Sequence, residues 1–222
     1  MTKPKATVKT DGAFLYLYEC VLLLSVKNPE PPKPDTDPPA IGVAQEAERY
    51  RKASETLFGI ANGSRNPSYV DPGIVLQAFA CELYLKCLLV EQLGTLGPSE
   101  RTHSIRELFL RLDNANRTSV QNLYAARETD NELLWLNERY GVATDLDSVL
   151  SRCDELFEGS RYQLDGGRRW PLDKNGHGGT LGLRQLNIAL ANTIFSKHPD
   201  WKTRIKEAEY FNEDETTFPE LQ

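Results

Sequence analysis

Residues Pro72–Leu93 read PGIVLQAFACELYLKCLLVEQL, and the reading of this stretch decides the fold class. Ile74, Leu76, Phe79, Leu83, Leu85, Leu88, Leu89 and Val90 put an apolar side chain on nearly every face of a helix. That pattern predicts a central, mostly buried helix rather than a surface one. Glu82 and Lys86 are the only charges between Pro72 and Val90. At one residue per 100°, Lys86 lies about 40° from Glu82 and Leu89 about 20° to its other side, with Val75 and Leu93 in the same sector. The pair interrupts an apolar stripe, while Gln77, Tyr84 and Glu91 define the more polar face. Two readings stand. One is an ion pair on a wet edge, worth about 0.3–0.5 kcal/mol. The other is a partly desolvated pair lining a cleft, where charges are costly unless paired or used.

Working outward, helical patterns continue on both sides. Glu46 to Asn62 is a polar helix with Gly63 as its C-terminal stop. Gly94 to Arg101 is a turn. Ser104 to Leu112 is a short helix, with Ser104 and Glu107 in capping-box spacing before Leu108 and Phe109. Arg117 to Tyr140 reads as one or two helices. Thr144 caps another, with the stripe Leu146, Val149, Leu150, Cys153, Leu156 and Phe157, ended by Gly159. Five glycines between Gly166 and Gly179, with Pro171, make a loop. The last helix runs from about Thr180 to Lys197 and stops before Pro199. No strand pattern of real length and no internal repeat is present. The expected fold is all-α, a compact antiparallel bundle of about five to six helices.

The bundle is expected over residues 44–201, preceded by two segments of different character. Residues 1–26 hold one apolar stretch, Ala13 to Val26, with Phe14, Leu17, Tyr18, Val21 and Leu22 in one helical stripe. It is short of the roughly 20 apolar residues of a membrane span, Glu19 interrupts it, and no small-residue cleavage site follows. It reads as a docking helix. Residues 27–43 are a linker in which six of the thirteen prolines crowd into Pro29–Pro39, a composition that favours extended chain. Residues 202–222 form an acidic tail.

The 222 residues carry 26 Lys+Arg against 32 Asp+Glu, a net charge of −6. That balance excludes a broad basic surface for naked nucleic acid. Cys20, Cys81, Cys87 and Cys153 form no CxxC pair, which fits a reducing, cytoplasmic compartment. His103, His177 and His198 show no metal-ligand spacing, so no metal and no cofactor is expected. Phosphate-loop, dinucleotide, nucleophile-elbow and zinc-protease motifs are all absent. Against the negative total, Gly159–Thr180 is locally positive, with Arg161, Arg168, Arg169 and Lys174 outnumbering Asp165 and Asp173. Arginines, glycines and a helix start suit a phosphate-binding arrangement. A connecting loop with solubilising charges explains the same residues.

Three stretches together resemble one family. They are Ala80-Cys81-Glu82-Leu83-Tyr84-Leu85-Lys86, then Thr102-His103-Ser104-Ile105 with Leu108, Phe109 and Leu112, and finally Phe157-Glu158-Gly159-Ser160-Arg161-Tyr162. The pattern resembles the HEPN domain (higher eukaryotes and prokaryotes nucleotide-binding), most closely from Ala78 to Leu112 and not at all over the first 43 residues. The resemblance implies an antiparallel helical bundle, often dimeric, found in bacterial defence, toxin–antitoxin and nucleotidyltransferase-linked systems. Many members are metal-independent ribonucleases using Arg, four to six residues, then His. Here the positions at that spacing hold Leu96, Gly97 and Pro98 before His103. They hold Trp170, Pro171 and Leu172 before His177, and Ala191, Asn192 and Thr193 before His198. The motif is missing, and the nearest approach, Arg169 to His177, has one residue too many. Ser104 also stands where the family usually has Asp.

The expectation is therefore a non-catalytic HEPN-like homodimer that binds a nucleotide, RNA or a protein partner, such as a nucleotidyltransferase or antitoxin. Glu82, Lys86, His103, Arg161 and Tyr162 would line its cleft. Lys86 and Arg161 would meet phosphate, Glu82 would position Lys86 or a ribose hydroxyl, and Tyr162 would stack. Two alternatives differ in class. One is a metal-independent endoribonuclease with Arg169 and His177 as its cation and base. The other is a structural dimerisation module in which Glu82 and Lys86 satisfy each other.

Overall fold

The computed structural model describes residues 39–64, 69–127, 133–134, 137–138, 143–151, 153 and 182–205. Among these residues the chain is helical, with no strand. Helix α1 is Pro39–Ser64, α2 is Val70–Leu93, α3 is Ile105–Arg111, α4 is Asn114–Ala125 and α5 is Leu183–Lys197. A 3₁₀ turn, Pro98–Arg101, links α2 to α3, and residues 199–205 form a further helical segment of about two turns. The chain is an all-α bundle, as its apolar periodicity predicts.

Helix α2 is the hub, packed against α1, α3 and α5, while α4 packs on α5. Contacts set the directions. Ser54 meets Gly73, Glu48 meets Tyr84 and Ala40 meets Cys87, so α1 and α2 run antiparallel. Ser119 with Thr193 and Asn116 with Lys197 make α4 and α5 antiparallel as well. Gln77 with Asn187 and Glu91 with Lys197 and His198 make α2 and α5 run in the same sense. Tyr84, Leu85, Leu88 and Leu89 of α2 are fully buried with Ile105, Leu108, Val120, Leu186 and Leu190. Helix α2 is long and apolar enough to cross a membrane by composition, but most of its apolar stretch, 72%, is buried inside the bundle.

Several expectations need correction. Helix α1 starts at Pro39, inside the stretch read as linker, and runs through Gly63 to Ser64. Proline at a first helical position costs nothing, because the N–H it lacks has no intrahelical partner. The more polar face of α2 is covered rather than open to water at Gln77 and Tyr84, both of which are buried. Tyr84 sits against α1, its hydroxyl on Glu48, and the backbone carbonyl of Gln77 accepts the Asn187 carboxamide. Helix α4 begins at Asn114, three residues before Arg117, because the Asp113 carboxylate caps it by accepting the Asn116 N–H. Asp145, not Thr144, caps the following helix, accepting the Ser148 N–H at 2.9 Å. The Thr144 carbonyl instead accepts the Tyr124 hydroxyl. Ser104 caps α3 as predicted, accepting the Glu107 N–H at 3.0 Å. Residues 1–38 and 206–222, and so the N-terminal apolar stretch and most of the acidic tail, lie outside the described residues.

Candidate functional site

Glu82 and Lys86 stand one turn apart on α2, and the short link to α3 returns the chain to the same level with His103. The Glu82 Oε1 atom accepts the Lys86 ammonium at 2.6 Å and faces His103 Nδ1 at 3.0 Å. The Glu82 side chain is 5% exposed and Lys86 14%, whereas His103 is 52% exposed. The ion pair is therefore buried rather than on a wet edge. A carboxylate this deep needs partners for its oxygens, because desolvation of an unpaired charge outweighs any Coulombic gain. Glu82 Oε1 has two. Glu82 Oε2 is buried and has no hydrogen-bond partner among the described residues.

Of the five residues expected to form one cleft, the structure thus joins three: Glu82, Lys86 and His103. Arg161 and Tyr162 lie outside the described residues, as do Arg169 and His177 of the ribonuclease alternative. No family model, no curated protein and no solved structure matches the chain. Among the described residues no group of three His, Cys, Asp or Glu side chains could hold a metal ion.

Two further polar clusters were not singled out in the sequence. In the first, between α1 and α2, Glu48 accepts the Tyr84 hydroxyl on Oε1 and Arg51 on Oε2. Arg51 also reaches Glu55 at 2.7 Å. Burial, reinforced by the Glu48 carboxylate, pushes the Tyr84 phenol far above its ordinary value. Its hydroxyl stays a donor. The spacing Glu48, Arg51, Glu55 is visible as a charged helix ladder, but nothing in the sequence marks Tyr84 as its partner.

The second cluster lines a cleft of about 530 Å³ where the ends of α2 and α5 meet the start of α4. His198 Nε2 lies 2.8 Å from Glu91 Oε1 without hydrogen-bond geometry, Glu91 Oε2 accepts Lys197 at 3.5 Å, and Lys197 is also held by the Asn116 carboxamide oxygen at 2.5 Å. The His198 ring stacks on Trp201, centroids 4.0 Å apart and planes 12° from parallel. Lys197 and His198 stand at the C-terminal end of α5, where the helix dipole favours cations. This arrangement ties α2, α4, α5 and residues 199–205 together.

Proposed function

We propose that the chain is a non-catalytic HEPN-like protein that binds RNA or a nucleotide through Glu82, Lys86 and His103. One observation carries the reading. A buried carboxylate holds Lys86 and His103 on one oxygen, and its other oxygen has no donor among the described residues. An unsatisfied buried acceptor costs about 1–3 kcal/mol, and native structures carry few of them without a use. The residues concerned are also the ones on which the resemblance to HEPN domains rests. Lys86 supplies charge and His103 a ring nitrogen for phosphate, and in the same proposal Arg161 adds a second phosphate contact and Tyr162 a stacking surface. The setting, a defence or toxin–antitoxin module with a homodimeric bundle and a nucleotidyltransferase or antitoxin partner, rests on the resemblance alone.

Calorimetric titration with ATP, GTP and a short RNA tests the reading. Heat from at least one of them, reduced tenfold or more in Lys86→Gln, is the expected result. Silence from all three with the bundle folded removes the ligand reading and leaves only the protein-partner form. Incubating the protein and His177→Ala with total RNA in EDTA separates the ribonuclease alternative. RNA left intact by both is expected. Cleavage by the wild type that His177→Ala abolishes would move the assignment to an enzyme.

A further inference from the structure

We propose that the cleft between the ends of α2 and α5 and the start of α4 binds an aliphatic diamine or polyamine, one ammonium on Glu91 and another on Asp113. The proposal is independent of the reading of Glu82, Lys86 and His103, none of which lines this cleft.

The cleft has a volume of about 530 Å³, within the range of small-ligand sites. It opens to solvent: Gln92, Gly94 and Asp113 stand exposed at its mouth, while Ala40, Val90 and Trp201 are buried along its floor. Glu91 lines it too, with 14% of its side chain exposed. Its two oxygens differ. Oε1 is closed to solvent and faces His198 Nε2 at 2.8 Å without hydrogen-bond geometry. Oε2 has one donor among the described residues, Lys197 at 3.5 Å, and that lysine is 40% exposed and held more closely by Asn116. An ionised carboxylate has about four lone-pair sites and donates nothing. Glu91 is therefore short of donors, and Oε2, on the side of the exposed lysine, is where a donor from solvent reaches it.

The surrounding field sets the charge of that donor. Glu91 and Asp113 outnumber Lys197 along the cleft wall. Helices α2 and α5 both end here, at Leu93 and Lys197, and the C-terminal end of a helix carries partial negative charge. Two helix starts lie here as well, but they offer an anion little. The Asp113 carboxylate already caps α4, and α1 opens with Pro39, which has no N–H. An anion would meet two carboxylates and two carbonyl ends, whereas an ammonium is attracted by all four. Lys197 shows that an ammonium fits, since its own lies between Asn116 and Glu91. The second carboxylate, at the mouth, and the apolar floor of Ala40 and Val90 extend the match to two ammonium groups joined by methylenes. Such a chain lays its CH₂ groups on the apolar surface and keeps its charged ends on the carboxylates.

Calorimetric titration with 1,5-diaminopentane, pentylamine and 1,5-pentanediol tests the proposal with probes of one chain length. Salt at about 0.15 M screens the general attraction of a chain of net charge −6 for cations. The diamine is expected to bind about three- to fivefold tighter than pentylamine, as fits one added pair with an exposed carboxylate, and the diol to give no heat. Glu91→Gln is expected to weaken the diamine about tenfold or more, the loss of a hydrogen bond to a charged group. Asp113→Asn keeps the α4 cap, because Asn caps as well as Asp. It is expected to bring the diamine down to the affinity of pentylamine and to leave pentylamine unchanged, and it decides the matter if Glu91→Gln does not fold. Lys86→Gln is expected to leave all three titrations as they are, which separates this cleft from the Glu82 site. No heat from the diamine with the bundle folded overturns the proposal, as does a diol that binds as well as the diamine. A diamine affinity undiminished in either carboxylate variant, or lowered equally by Lys86→Gln, overturns it too.

Discussion

At the scale of single residues, Tyr84 and the buried thiols show how a neutral group can be tied to folding. Burial holds the Tyr84 phenol and the Cys81 and Cys87 thiols well above their ordinary values, with Glu48, Cys153 and Glu91 respectively adding to the effect. In the unfolded chain a thiol ionises near 8.5 and a phenol near 10. All three raised values mean that the folded state keeps its protons longer. Their contribution is fully present below about pH 8.5 and is lost as the pH rises further, since the unfolded state gains by ionising. Urea midpoints are expected to hold level through neutrality and fall above about pH 9. Tyr84→Phe should lower stability by about 1.5–3 kcal/mol at pH 7, by taking a donor from a buried carboxylate, and flatten the fall above pH 10. An equally steep fall in the variant would remove Tyr84 from this account. The candidate site was partly legible at this scale. Glu82 and Lys86 stand out as charges in an apolar stripe. His103 stands out because a short link returns it toward them. The Glu91–His198–Trp201 cluster was not, because His198 lies 107 positions from Glu91 and nothing local connects them.

At the scale of elements, caps and close approaches decide where helices begin. Gly182 precedes α5 with φ of +104°, a backbone region that L side chains rarely adopt. A Cβ there would come within 2.5 Å of Val149 Cγ2 and 2.9 Å of the Tyr124 hydroxyl. Gly182→Ala is therefore expected to cost at least about 1–3 kcal/mol in chemical denaturation, from backbone strain alone. A neutral effect would show that the start of α5 is not held as described. Gly73 is the corresponding approach between α1 and α2. Its carbonyl accepts Ser54 Oγ, and its bare Cα faces the Phe58 ring. Ser104 was readable as a cap because its spacing to Glu107 is a local signal. Asp113 was missed because the helix it caps reads as starting only at Arg117, and Asp145 was missed in favour of Thr144. Asp, Thr and Ser cap almost equally well, so composition alone does not choose among neighbours.

At the scale of the whole molecule, stability is concentrated around α2. Leu88 is fully buried, whereas Leu93, five residues further on, is 49% exposed. Leu88→Ala is expected to cost about 2–5 kcal/mol and Leu93→Ala to stay within about 0.5 kcal/mol, read from urea denaturation. Equal effects would contradict α2 as the hub. The sequence by itself determined that the described chain is helical, that Pro72–Leu93 is its central element and that Glu82 and Lys86 share one side of it. Those follow from the 3.6-residue period and from burial of apolar side chains, both local in sequence. Only the tertiary structure decided that the Gln77–Tyr84 face is covered, that α2 and α5 run in the same sense, and that His103 shares an oxygen of Glu82 with Lys86. It also decided that the second oxygen has no donor among the described residues. The reason is physical. Periodicity shows that a face needs a neighbour, but which neighbour arrives and which polar atom it leaves unpaired depend on packing between segments distant in sequence.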